Sequence, residues 1–311
     1  MYTIKQPSEI IFGKNSLKNY KFPERCLLIS SSGAKKRGWF DLDFMKKFYV
    51  FDKVESNPSI QTTETIIEDF KNSDFTHIIG LGGGSVMDVA KFVGFKMIKK
   101  KITIPTIFGS GSEVTRISVL KVNNKKQSFH DDKIFADTAI IDPTFMQTTP
   151  KKIINDAIID ACAQSTEAYD SKNSNLYTKF LCQKGFENIE KGLEEFNDEK
   201  IIFGTLLTGL GFGNASTTLG HALSYVFSNE GFSHGHALAF TTQAAHKFNE
   251  SIFYSRFKKI VENLDFERIN LKSKLDDAAE IILQDKKHLE NNPKNVTKED
   301  IMNLLDIIIN N

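Results

Sequence analysis

The sequence is poor in the features that mark several classes of protein. It has three cysteines in 311 residues, Cys26, Cys162 and Cys182, and no CxxC pair. This excludes a disulfide scaffold and is typical of a reducing cytoplasm. No apolar run approaches the ~20 residues of a membrane helix, and the opening segment MYTIKQPSEI lacks the apolar core of a signal peptide. We therefore expect a cytoplasmic protein with no membrane partner.

The chain also lacks an excess of charge of either sign. Its 40 basic and 39 acidic residues give a formal net charge of +1, so there is no electrostatic reason to expect a nucleic-acid partner. Hydrophobic residues make up 40% and charged residues 25% of the sequence, which is ordinary for a soluble globular protein. The length is sufficient for two domains with full cores.

Strand and helix patterns divide the chain into two parts. Short apolar runs at 26–30, 46–51, 77–81, 102–105 and 139–142 alternate with helical patterns. This alternation predicts an α/β domain with a parallel, Rossmann-like sheet over residues 1–145. Strand signals nearly vanish beyond it, so we predict an all-helical domain over residues 146–311. Its predicted helices cover 151–169, 178–196, 201–225, 237–253, 275–289 and 298–310.

Two loops of the first domain are rich in glycine and hydroxyl groups. The run Gly82-Gly83-Gly84-Ser85 lies where a predicted strand ends and a helix begins. Glycines let the backbone approach a pyrophosphate, and the helix N–H groups then bind its oxygens. The spacing is not GxGxxG, but three glycines with a serine at such a junction favour phosphate binding. The second loop, IPTIFGSGSEVT at 104–115, could donate hydroxyls to a nucleotide, although a capped helix start explains it better by itself.

The second domain contains a cluster of metal-binding residue types. Three of the seven histidines, His221, His234 and His236, lie within residues 214–240. One on a helix and another beyond a turn can converge, which is typical of a metal or proton-transfer site. A packed helix followed by polar loop histidines explains this stretch equally well. Asp160 and Gln164 are four residues apart on one face of a largely apolar helix, where a carboxylate needs a partner.

Several motifs together resemble one known family. They are GGGSVMDVAK (82–91), IPTIFGSGSEVT (104–115), AIIDP (139–143), DACAQSTEAY (160–169) and LGHALSY…SHGHA (219–237). Their order and spacing resemble the iron-dependent (group III) alcohol dehydrogenases, over nearly the whole chain. The resemblance implies a dehydroquinate synthase-like fold and a homodimer. It also implies NAD(P)-linked interconversion of small alcohols and aldehydes or ketones.

The resemblance also assigns roles to individual residues. Asp160, His221 and His234 match three of the four metal ligands, and Gln164 stands where the fourth is a histidine. Because glutamine is a poorer ligand than imidazole for Fe²⁺ or Zn²⁺, we expect the ion to bind weakly or not at all. The residues that match cofactor-contact positions are Gly83, Gly84, Ser85, Asp88, Lys91, Thr106 and Ser110, with Asn57 and Lys126 matching less closely.

Four side chains are candidates for catalysis, namely His221, His234, Tyr225 and His236. Without a metal, His221, His234 or Tyr225 would have to stabilise the developing alkoxide by hydrogen bonds. Tyr225 replaces a further histidine of the family pattern. His236 could replace a missing ligand or proton donor, and an ordinary loop histidine is an equal alternative.

The choice between nicotinamide cofactors depends on the residue after the first predicted strand. NAD-linked members of the family carry an aspartate there, which repels a 2′-phosphate. This chain has Ser31 instead, followed by Lys35, Lys36 and Arg37. The pattern predicts a preference for NADP(H), although the basic run could also be a solvated helix start.

The reaction itself leaves three alternatives open. The first is an aldehyde or ketone reductase, whose substrate could carry a phosphonate or phosphate if Arg116 and Lys126 bind an anion rather than lie on the surface. The second is an enzyme similar to dehydroquinate synthase or glycerol phosphate dehydrogenase, which the loop and helix motifs fit less well. The third is a nucleotide-binding protein that has lost catalysis, which the changes at Gln164 and Tyr225 would support.

Overall fold

The chain folds into two compact units. The computed structural model describes residues 1–39, 43–123 and 125–310. One unit is Thr3–Pro150, and the other joins Met1–Tyr2 to Lys151–Asn311. The first unit contains a parallel sheet with helices and the second is helical, so the predicted fold class is confirmed.

A parallel sheet forms the centre of the first unit. The strands of this unit are β1 Glu9–Phe12, β2 Cys26–Ile29, β3 Tyr49–Phe51, β4 His77–Gly82, β5 Lys100–Pro105, β6 Ile117–Val122, β7 Lys125–His130 and β8 Thr138–Ile141. Six of them pair in the order β1-β8-β5-β4-β2-β3, and every neighbouring pair is parallel. Strands β2 and β8 are buried along their whole length, which explains their almost continuously apolar sequences.

The helix after β4 packs tightly against the sheet. The helices of this unit are α1 Ser16–Asn19, α2 Ser32–Lys36, α3 Ile60–Phe70 and α4 Gly84–Met97. At Gly80 a Cβ would stand 2.7 Å from the Cβ of Ala90 on α4, so only glycine permits this approach. The helix start at Gly84 is thereby fixed directly beyond the end of β4.

Two parts of the first unit differ from the predicted pattern. The predicted strand at 46–51 is a 3₁₀ turn, Asp43–Lys47, followed by the short strand β3. The antiparallel hairpin of β6 and β7 was not predicted. Strand β7, KKQSFH, is exposed along most of its length, so it lacks the apolar alternation that identifies a half-buried strand.

The second unit is built from helices, and the predicted helix 298–310 is reproduced at both ends. They are α5 Lys151–Asp170, α6 Leu176–Glu194, α7 Asp198–Ala215, α8 Leu219–Asn229, α9 His234–Asn249, α10 Tyr254–Leu264, α11 Leu275–Leu283, α12 Lys286–Asn291 and α13 Lys298–Asn310. The predicted helix 201–225 is two helices, because Ser216 adopts a left-handed φ of 64°. The predicted helix 275–289 is also two, because Asp285 caps α12. No described helix combines the length and apolar character needed to cross a bilayer.

Helices α6 and α7 approach through paired glycines, which gives a test of the packing. A Cβ on Gly204 would stand 2.7 Å from the carbonyl oxygen of Gly185 and 2.8 Å from the amide nitrogen of Ile189. Alanine normally stabilises a helix relative to glycine by up to ~1 kcal/mol. Here we expect Gly204→Ala to destabilise the protein by about 1–3 kcal/mol, because the backbones must separate.

Equilibrium urea unfolding followed by circular dichroism measures this change. Lys184→Ala, at an exposed ion pair on α6, is the control and should change stability by less than about 0.5 kcal/mol. A Gly204→Ala protein more stable than wild type would contradict the close helix contact.

Candidate functional site

Three potential metal ligands from three helices converge in the second unit. Asp160 lies on α5, His221 on α8, and His234 is the first residue of α9. One ligand atom of each lies within 4.8 Å of the others. The Nε2 atoms of His221 and His234 are 3.6 and 3.9 Å from Oδ1 of Asp160. Neighbouring ligands of a tetrahedral ion lie roughly 3.4 Å apart, so these residues fit Zn²⁺ or Fe²⁺.

A buried carboxylate orients His221. Oε2 of Glu167 accepts hydrogen bonds from the backbone N–H of Thr218 at 2.6 Å and from Nδ1 of His221 at 3.1 Å. This arrangement leaves Nε2 directed at Asp160, as in many carboxylate–histidine–metal sites. Gly220 makes the contact possible, since a Cβ there would stand 2.0 Å from Oε1 of Glu167.

The electrostatics of this pocket favour positive charge. Burial alone would lower the pKa of His221, but Glu167 and Asp160 raise it to about 9. Burial likewise acts to raise the pKa of Glu167, and the charge and hydrogen bond of His221 hold it below its usual value. Two carboxylates therefore stabilise a cation at this point, which is also what a divalent metal requires.

Gln164 contacts the ligand group through its nitrogen. Its Nε2 donates to Oδ1 of Asp160 at 2.9 Å, the oxygen that both imidazoles face. A fourth ligand would have to present the amide oxygen instead, which requires the amide to rotate. In the observed arrangement Gln164 orients Asp160, and its role as a ligand stays a prediction.

The structure brings Tyr225 to the ligand group but not His236. The Tyr225 ring is stacked beside that of His234, with centroids 6.3 Å apart. Burial and the nearby Asp285 raise the pKa of Tyr225, so its phenol stays neutral. His236 packs against Phe232 and Phe266, and its Nε2 is 2.5 Å from the carbonyl oxygen of Glu267. Residues 234 and 236 lie ~200° apart around helix α9, which explains the separation.

A third histidine at the site was missed from the sequence. His288 of α12 is buried, and its ring centroid is 6.2 Å from that of His221 and 5.9 Å from that of Tyr225. Its Nδ1 is 2.6 Å from Oδ2 of Asp285. Residues 275–289 were predicted as one helix, and no site residue was predicted on it, although the D-x-x-H spacing of Asp285 and His288 was a usable signal.

The glycine loop of the first unit has the form of an anion site. The amide N–H groups of Val86 and Met87 both donate to the carbonyl of Gly83, whereas those of Gly84 and Ser85, in the first turn of α4, have no acceptor in the described part of the chain. Free first-turn N–H groups bind phosphate oxygens. The φ of Gly83 is an ordinary −77°. This position therefore requires glycine because there is little room for a side chain, and not because of its backbone conformation.

The second loop packs directly on the first. A Cβ on Gly83 would stand 3.0 Å from Cδ1 of Ile107, and one on Gly84 would stand 2.9 Å from Oγ of Ser110. The amide of Thr106 donates to the carbonyl of Gly82. Oγ1 of Thr106 is buried and has no hydrogen-bond partner among the residues described, as expected for a hydroxyl that contacts a ligand.

Asp88 and Lys91 brace the second loop from behind. The fully buried ammonium of Lys91 donates to the carbonyls of Ser112 at 2.7 Å and Thr115 at 3.2 Å, and also to that of Ile117. Asp88 accepts from the hydroxyl of Ser112 at 2.5 Å. Both charged groups are engaged by the protein itself and support the loop, and their contact with a cofactor stays a prediction.

The polar groups of Ser31 and Arg37 lie close together at helix α2. Ser31 caps α2 through its hydroxyl. A Cβ on Gly33 would stand 3.3 Å from Nη2 of Arg37 and 3.7 Å from Oγ of Ser31, so the two polar groups lie near the same point. Lys35 is held elsewhere by an ion pair with Asp52 at 2.8 Å. The basic group that lies near Ser31 is therefore that of Arg37 and not that of Lys35.

The remaining predicted cofactor positions lie together at another turn. Asn57 is exposed, with a left-handed φ of 51°, just before α3. Lys126 on β7 is paired with Lys121 of β6, whose amide donates to the carbonyl of Pro58. Their contact with a nucleotide stays a prediction.

The ligand group gives a direct test of Gln164. We expect Gln164→His to bind Zn²⁺ or Fe²⁺ about tenfold or more tightly, the scale of single contacts around a metal, because imidazole is the better ligand. Chelator competition with elemental analysis measures the change. Gln164→Ala, which removes the contact with Asp160 and adds no ligand, is the matched control and should show no gain. A wild-type protein that keeps one full equivalent through extensive chelation would contradict a weak site.

Comparison with known proteins places the chain in a family. A family model described as iron-containing alcohol dehydrogenase matches residues 7–143, and one described as its C-terminal domain matches residues 154–284. The 4-hydroxybutyrate dehydrogenase of Clostridium kluyveri is 35% identical over 209 residues, 58% of this chain and 56% of that protein. The NADPH-dependent butanol dehydrogenase of Clostridium saccharobutylicum is 27% identical over 300 residues, 83% of this chain and 76% of that protein. The chain thus spans about half the length of the first of these curated relatives.

Solved structures share the fold. The iron-containing alcohol dehydrogenase of Thermotoga maritima superposes with a TM-score of 0.89 at 24% identity and covers 99% of each chain. The sulfoacetaldehyde reductase of Bifidobacterium kashiwanohense, solved with NAD⁺, gives a TM-score of 0.89 at 20% identity and covers 100% of this chain and 99% of that one. The fold is therefore the dehydroquinate synthase-like fold that was predicted. With both family models matched in sequence order and both sets of motifs in place, the chain belongs to the iron-containing alcohol dehydrogenase family.

Proposed function

We propose that this protein is an NAD(P)H-dependent oxidoreductase that interconverts a small aldehyde or ketone and its alcohol. The observation that carries the proposal is the convergence of Asp160, His221 and His234, with Glu167 behind His221. The same chain has an anion-binding helix start at Gly84 and Ser85. Relatives named as butanol and 4-hydroxybutyrate dehydrogenases support the reaction class.

Each residue of the site would have a separate role in the proposed reaction. A divalent ion held by Asp160, His221 and His234 would supply Lewis-acid polarisation of the substrate oxygen. Glu167 holds the His221 ring so that Nε2 points to Asp160. Tyr225 keeps its phenolic hydrogen and can donate it to a substrate oxygen. In the first unit, the N–H groups of α4 would bind the cofactor pyrophosphate.

The structure gives no support to a phosphonate or phosphate substrate held by Arg116. Its guanidinium forms an exposed ion pair with Asp132 at 2.9 Å. Asp132 in turn also contacts Lys5. Because its guanidinium is paired with a carboxylate at an exposed position, we expect Arg116 to add little attraction for an anion, and we propose a substrate without such a group.

The second candidate function is nucleotide binding without catalysis. Gln164, which donates to Asp160 where the family pattern has a ligand, favours it. The experiment that separates the two is elemental analysis of the purified protein, combined with NADPH and NADH oxidation against a panel of small aldehydes and ketones. We expect turnover of some members of the panel, increased by added Zn²⁺ or Fe²⁺. Tight cofactor binding with no turnover after metal loading would favour the second candidate.

We also propose a preference for NADP(H). Ser31 carries no negative charge that would repel the 2′-phosphate of NADP(H). Arg37 lies near the same point, beside Gly33. Asp52 directly follows strand β3, and its carboxylate is neutralised by an ion pair with Lys35. A guanidinium makes charge-assisted hydrogen bonds to phosphate worth about 1.5–3 kcal/mol.

Cofactor preference can be tested by three substitutions. Arg37→Ala should reduce kcat/KM with NADPH by about 10- to 100-fold and leave that with NADH nearly unchanged, because only NADPH carries the 2′-phosphate. Ser31→Asp should shift the ratio in the same direction by repulsion. Lys36→Ala removes an equal charge from the exposed neighbouring position and is the matched control, with a much smaller change expected. A wild type that prefers NADH, or an Arg37→Ala ratio equal to that of Lys36→Ala, would contradict the assignment.

A further inference from the structure

The helical unit contains a cavity of about 620 Å³ that none of the three potential metal ligands lines. Its walls come from α9, α10, α13 and the segment 265–268 that follows α10. The contribution of α9 is Phe240, Gln243, Ala244 and Lys247, which have the spacing of one helix face. Small-molecule sites in proteins have volumes of this size, so the cavity is large enough to hold a ligand.

Part of the cavity wall is apolar and removed from water. Ala244, Val261 and Ile308 line the cavity and are buried. The rings of Phe240 and Phe266 line it as well and are half-buried. Burial of apolar surface is the main favourable contribution in pockets of this kind. The wall therefore favours a ligand with an apolar body.

The charged side chains of the wall are mainly basic. Lys247, Lys258 and Arg268 line the cavity together with Glu262 and Asp265. Lys258 is paired with Glu262 along α10, with 3.7 Å between Nζ and Oε1. Within the part of the chain that the structure describes, the side chains of Lys247 and Arg268 form no hydrogen bond or ion pair. Two cations then face one remaining carboxylate, so the wall attracts a group with a negative charge.

The segment that carries Arg268 is held in place by α9. Nε2 of the buried His236 donates to the carbonyl oxygen of Glu267 at 2.5 Å, and the His236 ring centroid is 5.4 Å from that of Phe266. Ile269, directly after Arg268, is buried in the core of the helical unit. Arg268 thus extends from backbone that is fixed on both sides, which a binding residue requires.

We propose that this cavity binds an organic monocarboxylate with an apolar body. The body lies against Phe240, Phe266 and Ile308. The carboxylate pairs with Arg268 and Lys247. A guanidinium forms two parallel hydrogen bonds with a carboxylate, and an ammonium adds a point charge.

The acidic residues of the wall limit the charge of the ligand. Asp265 and Glu262 also line the cavity, and they repel a ligand that carries several negative charges. A single carboxylate on an apolar body therefore fits this wall better than a nucleotide or another polyanion. No residue to which we assign a role in the oxidoreductase reaction lines the cavity, so the inference is independent of that proposed function.

Isothermal titration calorimetry of the full-length protein tests the proposal with octanoate and 3-phenylpropanoate, which carry the same charge on an aliphatic and an aromatic body. We expect saturable binding of at least one of them, at one site per chain, with a Kd of about 1 mM or tighter. The tighter of the two identifies the preferred body. The uncharged octanamide should bind at least about fivefold more weakly than octanoate, because it cannot pair with the two cations.

Substitutions locate the binding site. Arg268→Ala and Lys247→Ala should each weaken carboxylate binding about fivefold or more. Lys259→Ala is the matched control, because it removes an equal charge from α10 at an exposed position paired with Glu194 at 3.7 Å. We expect no change in its Kd. Ala244→Leu keeps both cations but occupies part of the cavity, so it should weaken binding of octanoate and octanamide alike.

Three results would overturn the inference. One is the absence of saturable binding of both carboxylates up to about 10 mM. Another is a Kd that is the same in wild type, Arg268→Ala and Lys247→Ala, which would assign the carboxylate to another surface. The third is octanamide binding as tight as that of octanoate. If Ala244→Leu does not fold, as judged by circular dichroism, the two exposed cation variants decide. None of these results bears on the oxidoreductase function, which the aldehyde panel tests separately.

Discussion

The buried carboxylate of Glu167 is the contact on which the helical site depends. It accepts the amide of Thr218 just before α8 begins and holds Nδ1 of His221 one turn further on. The same group therefore sets where α8 starts and which nitrogen of its histidine faces Asp160. A carboxylate buried to this degree is stable only when its charge is compensated and its oxygens are hydrogen-bonded. The missing side chain at Gly220 provides the room that this geometry needs.

The two glycine-rich loops of the first unit are organised by a second buried charge. Lys91 gathers carbonyls of the segment from Ser112 to Ile117, while Asp88 accepts from Ser112 and from the amide of Val119. Burial raises the pKa of the neighbouring Glu113 to about 7. The charged groups of Lys91 and Asp88 hold the backbone of the loop in place. The groups that remain for the proposed nucleotide are amide N–H groups and hydroxyls.

Much of this arrangement could be predicted because it follows local patterns. Apolar runs such as CLLI identify strands buried on both faces, and the spacing of Asp160 and Gln164 places both on one side of α5. Three of the residues expected at the metal converge as the family resemblance implied. The strand β7 is mostly polar and has no apolar alternation, so its sequence did not predict a strand. The end of α7 was also not predicted, because one residue with a left-handed φ, Ser216, interrupts a helical pattern that is continuous in the sequence. His288 escaped notice because tertiary packing, and not sequence proximity, brings α12 to α8.

The engaged ammonium of Lys91 has a consequence for how the loops meet a ligand. All its contacts form within the folded unit, so the ordering of the segment from Ser112 to Ile117 is complete before any nucleotide arrives. The entropy of fixing that backbone is a term in the free energy of folding and is absent from the free energy of association. A nucleotide that binds beside this segment would therefore meet backbone that is already ordered, and its rate of binding would be governed by diffusion and orientation and not by loop closure.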